Sequence, residues 1–167
     1  DKVSMDGQHY FDPNFKPDFK LFRLRENNYI CHIFVVRKSL TGETGMLRSE
    51  FDGAQDFDFI LRCCEKAKKI THIPRVLYHW RCHMDSTAAD PSSKAYAYEA
   101  GRKAIREHYQ RMGIDAKVDM TERPGWYRSH IKTQGNPMVS IIIPNKDHID
   151  DLKRCIDSIE AKSTYTN

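Results

Sequence analysis

Residues 138–159 join a short apolar run to an amphipathic helix pattern, and this combination restricts the fold more than any other feature of the sequence. The run from Met138 to Pro144 is almost continuously apolar and β-branched, which is typical of a strand buried on both faces. A helix with one buried face is predicted next, since apolar residues recur at three- and four-residue steps at Ile149, Leu152, Ile156 and Ile159. A strand followed by a helix is half of a parallel α/β unit, so we expect its partner strand in further chain beyond this sequence.

The first 113 residues alternate helix and strand signals in a similar way. The patterns predict a short helix between Pro17 and Asn28, a buried strand over 29–36 and a helical turn capped by Ser39. A helix over 56–67, extended chain over 70–80 and a long helix over 93–112 are predicted next. Ser92 and Ser93 would cap the long helix, and Gly113 would end it.

Residues 114–137 differ in character from the segments around them. Two short extended pieces are predicted over 116–120 and 126–131, and a linker containing glycine and proline follows over 133–137. The whole pattern predicts a mixed α/β chain that is divided near this linker.

The composition argues against several classes of protein. The hydrophobic content of 40% is sufficient for a core, and no apolar run approaches the roughly 18 residues that a membrane-spanning helix needs. The net charge of +4 is spread too evenly for a nucleic-acid-binding surface, so we expect no nucleic-acid partner. Five cysteines without a repeated spacing favour reduced thiols in a cytosol over a disulfide framework.

The stretch FDGAQDFDF, residues 51–59, places three aspartates among three phenylalanines. Asp52, Asp56 and Asp58 could all serve the start of the predicted helix, where carboxylates accept free backbone N–H groups and suit the helix dipole. One of them could instead be a general base, which must be fixed in place to receive a proton from a substrate. The spacing alone leaves both interpretations open.

His79, Cys82 and His83 bring together side-chain types that bind zinc. A four-residue spacing brings two histidines together only on a helix, however, and this segment is predicted to be extended. The sequence also contains no Cys-x-x-Cys pair. We therefore expect no structural zinc site here.

Several motifs occur in an order that is typical of one enzyme family. The run VSIIIPNKD, followed by HIDDLKRCIDSI, resembles the start of a family 2 glycosyltransferase domain, an inverting GT-A type that uses nucleotide-sugar donors. Over residues 1–110, the motifs HYFDPNFKPDF, NNYICHIFVV, EFDGAQDFDF and VLYHWRCHMDSTA resemble the second half of another such domain. Two such domains follow one another in tandem bacterial polysaccharide and cell-wall glycosyltransferases. The resemblance covers nearly the whole chain.

The resemblance implies an α/β fold in three parts. Residues 1–113 would form the C-terminal half of a Rossmann-like GT-A domain, which binds the acceptor and carries the catalytic base. Residues 114–137 would be a connector, and residues 138–167 the first strand and helix of a second GT-A domain. The remainder of the parent chain would supply the missing halves, and the isolated chain is expected to lack activity.

The resemblance also implies a catalytic base. In the family the base is the aspartate of a Glu-Asp or Gln-Asp pair at a helix start, and the matching pair here is Gln55-Asp56. Asp56 would take the proton from the acceptor hydroxyl as that hydroxyl attacks the anomeric carbon. Gln55 would contact substrate, whereas Asp52 and Asp58 would shape the turn and the helix start.

A divalent metal, Mn²⁺ or Mg²⁺, is implied as cofactor, because it offsets charge on the leaving diphosphate. The family holds it with an Asp-x-Asp motif, and Asp1 matches the last aspartate of that motif, although the earlier residues of the motif are absent from this chain. An Arg-x-His-x-x-Ser pattern follows the last strand in the family, and residues 81–86 match it. The resemblance implies that Arg81 binds the diphosphate and that His83 either completes the metal shell or touches the diphosphate. The alternative is that His83 is an ordinary surface residue.

Two further sites complete the expectations. Trp80 either belongs to the core or forms a surface on which the acceptor stacks. The residues of the loop after the last predicted strand either form a plain turn or bind a nucleotide in the second domain, namely Pro144, Asn145, Lys146 and Asp147.

The expected function is therefore the transfer of a sugar from a nucleotide-sugar donor to a saccharide hydroxyl, with inversion. The expected location is the cytoplasm, including the inner face of the cytoplasmic membrane. The competing interpretation is a non-catalytic α/β binding or scaffold module, in which FDGAQDFDF only begins a helix.

Overall fold

The computed structural model describes residues 1–82 and 95–165. It shows a small α/β protein in which helices and short strands are mixed along the chain. The chain divides into two compact units, Asp1–Ile131 and Lys132–Asn167. The helices are α1 (Leu21–Glu26), α2 (Lys38–Thr44), α3 (Gln55–Lys66), α4 (Ala95–Arg111) and α5 (Ile149–Lys162), and a short 3-10 turn spans Ser49–Phe51. The strands are β1 (Lys2–Val3), β2 (Tyr10–Phe11), β3 (Trp80–Arg81), β4 (Ala116–Met120) and β5 (Tyr127–Ile131).

The core of the first unit lies between α3 and α4. Apolar residues recur at helical spacing on both helices, and this pattern gives each of them one buried face. The β4–β5 hairpin and the end of α1 pack against the same core. Its largest members are Leu24, Phe51, Phe57, Ile60, Leu61, Ile105, Tyr109 and Tyr127.

A buried polar network also joins three helices. The Arg25 side chain of α1 donates from Nε to Nε2 of His108 on α4, at 3.1 Å, and Nδ1 of His108 lies 2.7 Å from the Glu65 carboxylate of α3. Since arginine can only donate, Nδ1 of His108 carries the proton and donates to Glu65. Burial alone would raise the pKa of Glu65, but the hydrogen bonds from His108 and Arg111 outweigh it and lower this pKa.

Two small sheets complete the first unit. Strand β1 pairs antiparallel with β2 and parallel with β3, so Lys2 lies opposite Trp80 and Val3 opposite Arg81. The hairpin pairs β4 with β5 in an antiparallel register that runs from Ala116 opposite Ile131 to Met120 opposite Tyr127. The parallel pairing places residues 1–3 beside residues 80–82.

Most of the predicted helices are confirmed. Helix α3 matches the predicted 56–67 helix, and α1, α2 and α5 occur where the patterns place them. Gly113 closes helix α4 as predicted: it lies two residues after Arg111 with a φ of 66°, and the Ile114 N–H donates to the Tyr109 carbonyl at 2.9 Å. Ser92 and Ser93, the predicted caps, lie outside the described residues. Ser39 does not cap α2, which begins one residue earlier, at Lys38.

Both predicted buried strands are wrong. Residues 29–36 form no strand, because side chains take up part of their backbone hydrogen-bonding capacity: Asn28 accepts from the Cys31 N–H at 3.2 Å, and Lys16 donates to the carbonyls of Ile30 and His32. Residues 138–144 form no strand either, since the described part of Lys132–Asn167 contains no strand with which they could pair. Apolar patterning alone does not form a strand without a neighbour.

In the described residues, no helix has both the length and the apolar character needed to cross a membrane.

Candidate functional site

The aspartates of FDGAQDFDF do not cap α3. The cap position is Ala54, and no side chain accepts a hydrogen bond there. Asp52 is exposed, Asp56 is half-buried and Asp58 is fully buried, so three neighbouring carboxylates occupy three different environments. The capping part of the helix-start interpretation is therefore wrong, whereas Asp56 and Asp58 do lie in the first turn of α3, where their charge suits the helix dipole.

Asp58 is held by two arginines. Its carboxylate accepts hydrogen bonds from Arg48, at 3.0 and 2.5 Å, and from Arg62, at 3.0 and 2.7 Å. Burial would raise the pKa of Asp58, but these hydrogen bonds and charges outweigh burial and hold the pKa below its usual range. An enclosed carboxylate whose pKa is held low suits a scaffolding role better than proton transfer.

Asp56 has a different partner. Its Oδ2 accepts a hydrogen bond from Nδ2 of Asn28 at 2.9 Å, and among the described residues it forms no ion pair. Gln55, the first residue of α3, is also half-buried beside it. A half-exposed carboxylate with a neutral partner can still accept a proton from a ligand.

The Cys31 thiol lies near Asp56 and Lys16, close enough for both charges to act on it. Burial raises the pKa of this thiol, and the Asp56 carboxylate raises it further, although Lys16 acts in the opposite direction. Burial also lowers the pKa of the Lys16 ammonium. Cys31 is therefore a neutral thiol at neutral pH and not a nucleophile.

Three predicted site residues come together at the β1–β3 pair. The Trp80 N–H donates to the Asp1 carbonyl at 3.0 Å, and the Asp1 carboxylate lies 2.5 Å from Nδ1 of His79. Arg81 donates from Nη1 to the Met5 carbonyl at 2.6 Å, so part of its guanidinium is used inside the protein. Its remaining donors can still bind a ligand.

The loop of residues 28–32 connects these residues to Asp56. The His32 ring lies 5.0 Å from Tyr78 and 5.8 Å from Trp80, measured between ring centroids. Asn28, at the other end of the loop, contacts Asp56. Trp80 is 44% exposed, so it lies outside the core and has an aromatic surface available for stacking.

The described residues do not make up a metal site. No group of three or more His, Cys, Asp or Glu side chains is arranged to hold a metal ion in residues 1–82 and 95–165. The Asp1 carboxylate is already hydrogen-bonded to His79, and His83, the other predicted ligand, lies outside the described residues.

Pro144, Asn145, Lys146 and Asp147 are exposed in the unit Lys132–Asn167. They form the bend that precedes α5, and Asp147 has a left-handed backbone with a φ of 60°. Their predicted role in nucleotide binding remains a prediction.

Sequence reasoning missed Asn28, Lys16 and His32. The sequence patterns mark Asn28 as the end of a short helix and give Lys16 no role. The available signal was the pair Asn27-Asn28 directly before an apolar run, since asparagine side chains often hydrogen-bond nearby backbone groups.

Two curated proteins are similar to this chain over nearly its whole length. It is 41% identical over 170 residues to the uncharacterized protein y4gI of Sinorhizobium fredii (strain NBRC 101917 / NGR234). It is 39% identical over 166 residues to the O-antigen biosynthesis protein RfbC of Myxococcus xanthus. The chain spans 19% and 13% of the lengths of these two relatives. No protein-family model and no solved structure matches the chain.

Proposed function

We propose that this chain is part of an inverting glycosyltransferase of polysaccharide synthesis, with Asp56 as its catalytic base. The similarity to an O-antigen biosynthesis protein over 99% of the chain supports the polysaccharide part of this proposal. The environment of Asp56 is the observation that carries the catalytic part. Of the three neighbouring aspartates, it alone is both held by a neutral donor and half-exposed.

In the proposed reaction, a saccharide acceptor places one hydroxyl beside the Asp56 carboxylate. The hydroxyl oxygen attacks the anomeric carbon of a nucleotide sugar, its proton passes to Asp56, and the bond to the nucleoside diphosphate breaks. Gln55 and the exposed face of Trp80 would hold the acceptor, and the remaining donors of Arg81 would bind diphosphate oxygens. We also propose a divalent metal, Mn²⁺ or Mg²⁺, with Asp1 and His83 as its ligands. The roles given to Asp56, Gln55, Trp80 and Arg81 do not depend on this metal.

The proposal also includes the domain arrangement. Residues 1–113 would form the acceptor half of one GT-A domain, residues 114–137 a connector, and residues 138–167 the start of a second such domain. The short share of each relative that the chain covers supports a longer parent protein. The cytoplasm, including the inner face of the membrane, is the proposed site of action, because nucleotide sugars are made there.

Asp56→Asn in the longer parent protein tests this function. We expect kcat for sugar transfer to fall about 10²- to 10⁴-fold, the usual contribution of a general base, while the fold and donor binding are retained. The matched control is Asp52→Asn, which changes an exposed aspartate four residues away and should leave transfer close to wild type. A folded Asp56→Asn protein with full transfer activity would favour the scaffold interpretation.

A further inference from the structure

We infer that Asn28 is a positioning residue that fixes the rotamer of Asp56 and reserves one carboxylate oxygen for the acceptor hydroxyl. This inference rests on the proposed function, since it assigns Asn28 a part in the same proton transfer. It depends on three features of the structure: the orientation of the Asn28 amide, the anchoring of the loop that carries Asn28, and the absence of charge on this amide.

The orientation of the Asn28 amide is determined by its two contacts. Its Oδ1 accepts the Cys31 backbone N–H at 3.2 Å, and its Nδ2 donates to Oδ2 of Asp56 at 2.9 Å. A flipped amide would place an NH₂ group against the Cys31 N–H and an oxygen against the carboxylate, and both contacts would be lost. The bond engages Oδ2, and Oδ1 of Asp56 forms no hydrogen bond within the described residues, so Oδ1 is the oxygen that we assign to the acceptor hydroxyl.

The loop that carries Asn28 is anchored on both sides. Lys16 donates to the carbonyls of Ile30 and His32, so one ammonium group fixes two peptide units of the loop. Tyr29, directly after Asn28, is buried, and its hydroxyl accepts the Lys20 N–H at 2.9 Å. Because these contacts hold the backbone, the Asn28 side chain can restrain Asp56 and does not simply follow it.

Asn28 is also uncharged, which suits a residue that orients a catalytic base. A catalytic base must be ionised before the reaction and must still accept a proton during it. The guanidinium groups beside Asp58 strongly favour the ionised carboxylate and thereby oppose its protonation. A neutral amide orients the Asp56 carboxylate without placing a positive charge beside it.

The test compares Asn28→Leu with Asn27→Leu in the longer parent protein. Asn27 is a matched control, because its Nδ2 also donates a 2.9 Å hydrogen bond, to the Gly125 carbonyl, away from Asp56. We expect Asn28→Leu to lower kcat about 10- to 100-fold, the usual effect of losing a hydrogen bond to a charged group, with acceptor KM nearly unchanged. Asn27→Leu should leave both kcat and acceptor KM close to wild type.

A second measurement separates this inference from the proposed function. In the 167-residue chain, the side-chain ¹⁵N resonance of Asn28 should shift as the Asp56 carboxylate titrates, and this shift should vanish in Asp56→Asn. An Asn28 resonance that ignores the Asp56 titration would overturn the inference. An unchanged kcat in Asn28→Leu would also overturn it, provided that Asp56→Asn is inactive. An active Asp56→Asn protein would instead refute the proposed function.

Discussion

At the residue scale, different hydrogen-bonding partners give the similar side chains of Asp56 and Asp58 different roles. They lie two positions apart on α3, yet Asp58 is enclosed by Arg48 and Arg62, whereas Asp56 is half-exposed beside Asn28. Through Arg48, Asp58 links α3 to the segment before it, whereas Asp56 stays partly exposed. Sequence spacing places Arg62 one turn after Asp58 on α3, but it does not predict Arg48, which reaches Asp58 from outside the helix.

Asp58→Asn should lower the free energy of unfolding by about 3–5 kcal/mol, because it leaves two arginines around a neutral side chain in a buried site. Urea denaturation measures this loss, and Asp52→Asn, at an exposed position, should change stability little. A loss below about 1 kcal/mol would show that the Asp58 contacts do not hold α3 in place.

The same variant should change the dependence of stability on pH. The folded-state pKa of Asp58 lies below its unfolded value of about 3.9, so its contribution is present above that value and is lost as the pH falls through the folded pKa. When the pH falls below about 4, the melting temperature of Asp58→Asn should therefore drop less than that of the wild type. Glu65, whose pKa is also lowered, should keep part of the acid dependence in both proteins.

At the element scale, the packing of the hairpin on α4 depends on a glycine. A Cβ at Gly101 would lie 2.1 Å from the Tyr127 hydroxyl oxygen, which donates to the Tyr98 carbonyl at 2.9 Å. Gly101 is therefore what allows β5 to approach the helix so closely.

Gly101→Ala should destabilise the protein by about 1–3 kcal/mol, because the added methyl group forces Tyr127 away from α4. The matched control is Gly42→Ala in α2, where a Cβ meets nothing within 4 Å and alanine should be neutral or stabilising by up to about 1 kcal/mol. Tyr127→Phe should recover part of the loss in the double variant, since it removes the nearest atom. Equal stability of the two glycine variants, measured by urea denaturation, would contradict this packing.

The same scale shows what the sequence could predict. Helix α3 and helix α5 follow from local periodicity, and the hairpin pieces 116–120 and 127–131 lie close enough in sequence to pair with each other. The strands predicted over 29–36 and 138–144 depend on distant neighbours, which the pattern cannot supply. At the site, only the family resemblance singles out Asp56. The Asn27-Asn28 pair hints at side-chain hydrogen bonds, but the contacts of Asn28 with Asp56 and of Lys16 with the loop depend on tertiary structure.

At the scale of the whole molecule, the chain covers a small share of the relatives to which it is similar. Its last unit carries apolar side chains with little cover, since Met138 is 83% exposed and Ile142 is 91% exposed. Both features agree with the proposal that residues 138–167 begin a further domain of a longer transferase. The chemistry must then be tested in that longer protein.

The central claim is that Asp56 receives the proton in a single displacement at the anomeric carbon. The anomeric configuration of the product, followed by ¹H NMR as the longer protein consumes a nucleotide sugar, tests this claim most directly. We predict a first product with the configuration opposite to that of the donor, because one displacement inverts the centre. A product that retains the donor configuration would require a covalent or equivalent second step and would contradict the role of Asp56.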